Sequence, residues 1–439
     1  MNREHFIQNR KDRIEKIRKI LETETPVKTG LTIPTRPGTK YNSYKIPIEY
    51  IVFNHVNDRF ASSRREYEAN TRKSLIRDDI DSQKVIEDFI WKSNETRNNE
   101  TLENLLKVKQ EQPGVINREG LVLDGNRRAA LILKIYSSPE GTFKNIDKNE
   151  FRHYEAIIIP EDLTDEEIHL IETNLQMNTD DKVEYNPIEK YLKVDSLHKS
   201  GFSYQSIVAN MKTFKTVKEV EESHRIYHLM CEYLESIDAK DRFSLITKNK
   251  SEDLFIKLEK TLSYYKNQLY QTYWNPDDLD IEDLKYIAFN FIRSKYEGKD
   301  FRNLMGGQRD MTGVFADKNV WEKFKTKTMS FIDSINKEVE SKTKNSKFND
   351  IQERETYFIQ ETKPVFAKNL NAAKEALNNI KSTNKPLELL EGSLNKLESI
   401  DMDFLIDKYD KEFYVTLKRV EEKVKELINR VKNDVFNQE

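Results

Sequence analysis

Five consecutive residues, Asp124-Gly125-Asn126-Arg127-Arg128, carry the sharpest local chemistry in the chain. An apolar run, Leu121-Val122-Leu123, leads into Asp-Gly, and a helix opens with two arginines. The free N–H groups at a helix start favour an anion. Gly125 lets the backbone approach it closely, and Arg127 and Arg128 add bidentate donors suited to phosphate. The plainer reading of the same residues is a strand–turn–helix with Asp124 as N-cap and both arginines solvated. A second set, His224, His228 and Cys231, falls at i, i+4 and i+7 on one helical face and has zinc-ligand types. It lacks HExxH spacing and an obvious fourth ligand. Ile226, Leu229 and Met230 share its helix, so a half-buried packing face is the expectation. We find no P-loop, no Ser-His-Asp arrangement and no HNH-like cluster. Asp277–Asp283 lacks the glycine of an EF-hand loop and reads as a solvated helix start.

The elements that must position these residues follow from composition and periodicity. The chain has 439 residues, 34% charged and 37% apolar, with 22 Phe, 20 Tyr and 3 Trp. That aromatic load excludes a disordered chain. Only 12 Gly and 11 Pro interrupt it, which points to a mostly helical protein. A single cysteine excludes an internal disulfide framework and a multi-Cys zinc site. No apolar run reaches membrane-spanning length and the N-terminus is charged, so we expect a cytoplasmic protein with no membrane partner. The net charge of −3 excludes a uniformly basic nucleic-acid coat. Charge is nevertheless segregated: residues 155–186 hold ten acids and one Lys, and residues 187–218 hold six Lys and two acids.

Residues 4–23 read as an amphipathic helix, with Phe6, Ile14, Ile17 and Leu21 on one stripe. Pro26 to Gly38 reads as a linker or draped arm. Strand signals gather between residues 44 and 160: Tyr44–Phe53, a hairpin around Asn117-Arg118-Glu119-Gly120, and residues 153–159. Helices at Ser82–Lys92 and Leu102–Lys109 lie between them. Beyond residue 160 the pattern is helical. Thr164 with Glu167 makes a capping box, and Pro187–His198, Ser203–Asn210 and a helix capped at Thr216 have helix-turn-helix spacing. We therefore expect an N-terminal helix and arm (1–43), an α+β domain (44–160), a helix-turn-helix-like domain (161–240), a helical domain (241–315) and a C-terminal helical bundle or coiled coil (316–439).

At Gly125-Asn126-Arg127-Arg128, followed by Ala129-Ala130, the chain resembles the ParB/sulfiredoxin superfamily and its G-E-R-R phosphate box. The resemblance continues on either side. Ile46-Pro47-Ile48-Glu49-Tyr50-Ile51 with Asn57-Asp58-Arg59 is similar to the family's entry segment. Glu172-Thr173-Asn174-Leu175-Gln176 and Asn186-Pro187-Ile188-Glu189 are similar to its E-N-L-Q-R and N-P-I-E segments. Asn126 replaces the family's Glu, Thr173 separates the Glu and Asn of the next box, and no Arg follows Gln176. The thiol of the sulfiredoxin branch has no counterpart here, so that reductase chemistry is not implied.

The resemblance implies a nucleoside triphosphate held by Asn57, Arg59, Gly125, Asn126, Arg127, Arg128, Asn174 and Gln176. It also implies Mg²⁺ at Glu172 and Asn174, with Asp124 nearby. DNA would be met by the helix-turn-helix region through Lys190, Lys193, Lys199, Lys212, Lys215 and Lys218. The expectation is a nucleotide-dependent DNA-associated switch or slow NTPase of a phage-defence or mobile-element system. Two alternatives stand beside it: a nuclease in which Asp124 and Glu172 hold a catalytic metal, and an adaptor with a vestigial pocket. At the C-terminus, Leu387, Leu390, Leu394 and Leu397, then Phe413, Leu417, Val420, Val424, Leu427 and Val431, step by three and four. We expect them to close within one chain as an antiparallel bundle, with turns at Lys381–Pro386 and near Ile400. These helices are also the place for a partner protein, and a homodimer would form through the ParB-like half.

Overall fold

The computed structural model describes residues 9–436 apart from 34–35, 162, 165–166, 169, 172, 174–186, 268–273, 297, 307–312 and 401–410. Its N-terminal region is a six-stranded mixed sheet of Lys28–Ile33 (β1), Arg36–Pro47 (β2), Val52–Phe53 (β3), Gly114–Ile116 (β4), Leu121–Asp124 (β5) and His153–Ile158 (β6). The strand order is β1-β2-β6-β4-β5-β3. β1–β2 and β2–β6 are antiparallel, β6–β4 and β5–β3 are parallel, and β4–β5 is the antiparallel hairpin expected around Asn117–Gly120. Gly120 turns it with φ 82°, and a Cβ there would fall 2.2 Å from the Tyr50 carbonyl oxygen.

The period of two sorts the strands between two apolar layers. Val122, Tyr154, Ala156 and Ile158 face a core shared with helices Arg10–Thr23 (α1), Ile80–Ser93 (α3), Glu95–Val108 (α4) and Asn126–Tyr136 (α5). Helix α2, Ala61–Thr71, leaves the sheet just after β3. Leu123, Ile157 and Ile159 face the opposite side with Ile33, Val115 and Ile171. Arg13 of α1 is fully buried, donates to the Glu119 carbonyl at 3.0 Å and pairs with Asp78, which fixes α1 on the hairpin.

Two expectations are corrected here. Residues read as a draped arm supply β1 and the start of β2, so the sheet begins before residue 44. The breakers are accommodated because β1 is an edge strand, its pairing with β2 is interrupted by register shifts, and Gly30 takes φ 74°. At the other end, Ile351–Glu398 is one continuous helix through the segment expected to turn at Lys381–Pro386. Leu387, Leu390 and Leu394 remain more than half exposed, and Leu417, Val424, Leu427 and Val431 of the Lys411–Phe436 helix are exposed as well. Among the described residues nothing covers the stripe.

The helix-turn-helix spacing is reproduced by Pro187–Lys199 (α6), Tyr204–Asn210 (α7) and Val217–Ser236 (α8). Gly201, at φ 92°, allows the Phe202 N–H to return to the Leu197 carbonyl at 3.1 Å. Ser203 caps α7 and Thr216 caps α8. Val194, Leu197, Phe202, Ile207, Met211, Phe214 and Val220 form a small core between them. The Thr164–Glu167 box is reciprocal: Glu167 N–H donates to Thr164 Oγ1 at 3.2 Å, and Thr164 N–H to Glu167 Oε2 at 3.0 Å. A larger aromatic core joins α6 and α8 to the later helices, including Asp278–Arg293, Lys318–Lys344 and the first half of Ile351–Glu398. Among the described residues no helix is long and apolar enough to cross a membrane.

Candidate functional site

β3 and β5 run parallel, with Val52 opposite Leu121 and Phe53 opposite Val122. The segment after β3, Asn54–Arg59, therefore leaves the sheet at the same end as the Asp124–Arg128 turn. Two stretches more than sixty residues apart in sequence meet there. Gln83, fully buried on α3, holds the first: its amide accepts from Phe53 N–H at 2.9 Å and donates to the Phe53 carbonyl at 3.0 Å. Asn57 is buried, and its side-chain oxygen accepts from Arg59 N–H at 3.0 Å, which shapes the turn that presents Arg59.

At the second stretch Gly125, with φ 87°, is the N-cap of α5 and supplies no side-chain cap of its own. Asp124 is thus not the N-cap of the plainer reading; its carboxylate accepts from the Gly125 backbone N–H instead. A glycine is required at 125 on two grounds. Its φ lies in the left-handed region, and a Cβ would come within 2.3 Å of the Tyr154 hydroxyl. The same hydroxyl would sit 1.8 Å from a Cβ on Gly114. Tyr154 is fully buried and donates at 3.3 Å to the carbonyls of Asp124 and Gly125, so it sets the height of the turn.

Asp124, Gly125, Arg127, Arg128 and Arg59 are half-buried, while Asn126 is buried. Burial pushes the Asp124 carboxyl above the usual carboxylate range, and the nearby charges of Arg128 and Arg59 oppose that shift. Arg59 of the Asn54–Arg59 segment and the Asp124–Arg128 turn are therefore electrostatic neighbours. Asn126 Nδ2 donates to the Val122 carbonyl at 3.3 Å, and its Oδ1 is buried without a hydrogen-bond partner. Arg128 donates to the carbonyls of Gln112 and Pro113, so it braces the loop before β4 as well as flanking Asp124. Glu172, Asn174 and Gln176 lie outside the described residues.

Helix α2 links this corner to the helix-turn-helix region. Glu189, the last residue of the Asn-Pro-Ile-Glu segment, is buried and accepts from Ser62 N–H and Oγ at the start of α2. One turn on, Arg65 donates to the Tyr227 hydroxyl of α8 at 2.6 Å and pairs with Asp241 at 3.6 Å. Glu66 receives Ser244 N–H at 3.1 Å and its hydroxyl at 2.6 Å.

The six lysines expected to meet DNA are not equally placed. Lys193 is buried at 2% exposure. Lys190 is half-buried with its ammonium 4.2 Å from the Phe214 ring centre, and burial lowers its pKa. Lys199 is exposed but pairs with Asp195 at 2.8 Å. Lys212, Lys215 and Lys218 are exposed around the α7–α8 turn.

The face of α8 that carries His224, His228 and Cys231 is half-buried, as expected. His224 is buried, and its ring meets a partner not considered in the sequence, Asp195 of α6. Asp195, His224 and His228 bring one ligand atom each within 4.8 Å of one another. Cys231 is not in that group. His224 and His228 showed as an i, i+4 pair, whereas nothing in the sequence singled out an aspartate 29 residues upstream.

Comparison with protein-family models, curated proteins and solved structures yields no match for this chain.

Proposed function

We propose that the corner formed by Arg59, Asp124, Gly125, Asn126, Arg127 and Arg128 binds the phosphates of a nucleoside triphosphate, and that the protein is a nucleotide-dependent DNA-associated switch. The observation that carries this reading is the convergence of Arg59 with Asp124 and Arg128 at a helix start whose N-cap is a glycine. Backbone amides and guanidinium groups at one point favour a polyanion. Asp124 and the unpartnered Asn126 Oδ1 are oxygen donors of the kind that accompany Mg²⁺ at such phosphates. Bound phosphate and cation would also favour the ionised form of Asp124, which burial alone disfavours.

Helix α2 supports the switch element of the reading. Its first turn adjoins Arg59 and is held by Glu189 of α6, and Arg65 bonds Tyr227 of α8. A phosphate that draws Arg59 would act on the helix that carries these contacts. Lys212, Lys215 and Lys218 are then the DNA-facing charges. For assembly, the uncovered heptad-like stripe of Leu417, Val424, Leu427 and Val431 favours a second copy of this chain. Its flanks carry both signs, as in the Lys418–Glu421–Lys425 set, which suits self-pairing.

Calorimetry against CTP, ATP and GTP with Mg²⁺ tests the pocket. Saturable binding of at least one triphosphate is expected. The Arg127→Ala/Arg128→Ala variant should lose more than about a hundredfold, since each charge-assisted contact is worth ~1.5–3 kcal/mol. A folded double variant that binds as wild type does would refute the assignment.

A further inference from the structure

We infer that Asp195 of α6 with His224 and His228 of α8 forms a binding site for one divalent transition-metal ion, with zinc the ion whose geometry fits. This inference is independent of the phosphate corner. His224 Nε2 lies 3.4 Å from Asp195 Oδ1 and 3.1 Å from His228 Nε2. Tetrahedral zinc with bonds of about 2.0–2.1 Å separates its ligand atoms by about 3.3–3.4 Å. Both measured edges fall close to that length.

A neutral imidazole alone serves this arrangement poorly. A neutral His224 has one ring proton for three neighbours: the Tyr204 hydroxyl at 2.9 Å from Nδ1, the Asp195 carboxylate, and His228 Nε2. If Nε2 carries the proton, Asp195 and His228 must share it. If it does not, its lone pair faces a carboxylate oxygen. A cation accepts all three donors at once. The surroundings have the form expected of a metal site. Tyr204 can accept the Nδ1 proton and so leave Nε2 as the ligand atom, the outer-sphere bond that orients a ligating histidine. Lys199, at 2.8 Å, holds the other oxygen of Asp195, and Arg65 lies 3.9 Å from it, so Oδ1 alone is turned to the imidazoles.

Asp195 is fully buried and His228 is exposed, so the site opens to solvent on one side, from which water would supply a fourth ligand. Cys231 stands apart: burial pushes its thiol up and it hydrogen-bonds Tyr227. A metal here ties the first helix of the helix-turn-helix to the third.

The test uses the full untagged chain stripped with a chelator and titrated with Zn²⁺, and with Co²⁺ for its visible absorption. Uptake of one equivalent with a tetrahedral Co²⁺ spectrum is expected, together with a rise in thermal midpoint under excess Zn²⁺. His228→Ala, at an exposed position, and Asp195→Asn, which keeps the shape, should each weaken binding by at least about tenfold. Cys231→Ser should bind as wild type does. The inference is overturned by non-saturable uptake, by unchanged affinity in His228→Ala, or by a Cys231→Ser loss equal to that of His228→Ala.

Discussion

The corner after β5 and the cluster between α6 and α8 are both polar, partly buried and lined by residues of opposite charge, yet they are built differently. The first is written in one contiguous stretch, Asp124–Arg128, with a second short stretch, Asn57–Arg59, brought beside it by two parallel strands. The second takes Asp195 from one helix and His224 and His228 from another, and only packing of α6 on α8 unites them. The first is proposed to meet an anion through its backbone and arginines. The second is proposed to meet a cation through converging lone pairs. Glycine and turn chemistry are decisive in one place and rotamers of packed helices in the other.

The sharpest way to separate the two is to damage one and read both. Gly125→Ala forces a left-handed backbone on alanine, at about 1–2 kcal/mol. It also drives Cβ against the buried Tyr154 hydroxyl, at about 1–3 kcal/mol more. We expect a lower denaturation midpoint and lost triphosphate binding, with Zn²⁺ uptake by the folded fraction unchanged. Loss of both activities at once would show that the regions are not independent units. His228→Ala is the mirror variant: zinc uptake should fall while triphosphate binding stays within about twofold, a difference of ~0.4 kcal/mol.

The Lys212→Glu/Lys215→Glu/Lys218→Glu variant comes next. If these exposed lysines meet phosphates, the slope of log affinity against log salt should flatten by about 2–3, since each neutralised phosphate contributes about 0.9. An unchanged slope would remove the α7–α8 turn from the DNA surface. For the stripe, Val424→Lys with Leu427→Lys should convert a dimer to a monomer by mass in solution. A dimer that survives would place the subunit contact elsewhere.

The smallest effect concerns Asp124. Its carboxyl pKa is raised by burial in the folded state, so the folded chain binds this proton more tightly than the unfolded one. Stability from this group is fully present below the unfolded value of about 3.9 and is lost as pH rises through the folded value. Asp124→Asn should therefore be more stable than wild type at neutral pH, with the gain vanishing below about pH 4. A stability difference that does not change with pH would mean that Arg59 and Arg128 already compensate the burial.

Much of the sheet region was legible because its signals are local. Asn117–Gly120 announces a hairpin, and Gly125 before two arginines announces a turn into a helix. Pro187, Gly201, Ser203 and Thr216 mark the three helices that follow. The illegible parts depend on tertiary packing. Lys28–Ile33 looked like a linker because its breakers are tolerated only at a sheet edge. Lys193 looked like a solvated basic residue, yet the face of α6 that carries it is buried. The continuous Ile351–Glu398 helix defeats the expectation of a turn at Lys381–Pro386, since a helix that packs firmly through Phe366, Leu370 and Leu377 can extend beyond its support. Asp195 has no periodic or motif signal at all.

The central claim is that triphosphate at the β5–α5 corner is coupled through α2 to the helix-turn-helix. DNA affinity measured with and without saturating triphosphate and Mg²⁺ tests it most directly. The account predicts a change of at least about fivefold, the usual lower bound for a coupled site, that disappears in Arg127→Ala/Arg128→Ala. A triphosphate that binds the corner and leaves DNA affinity unaltered would contradict it.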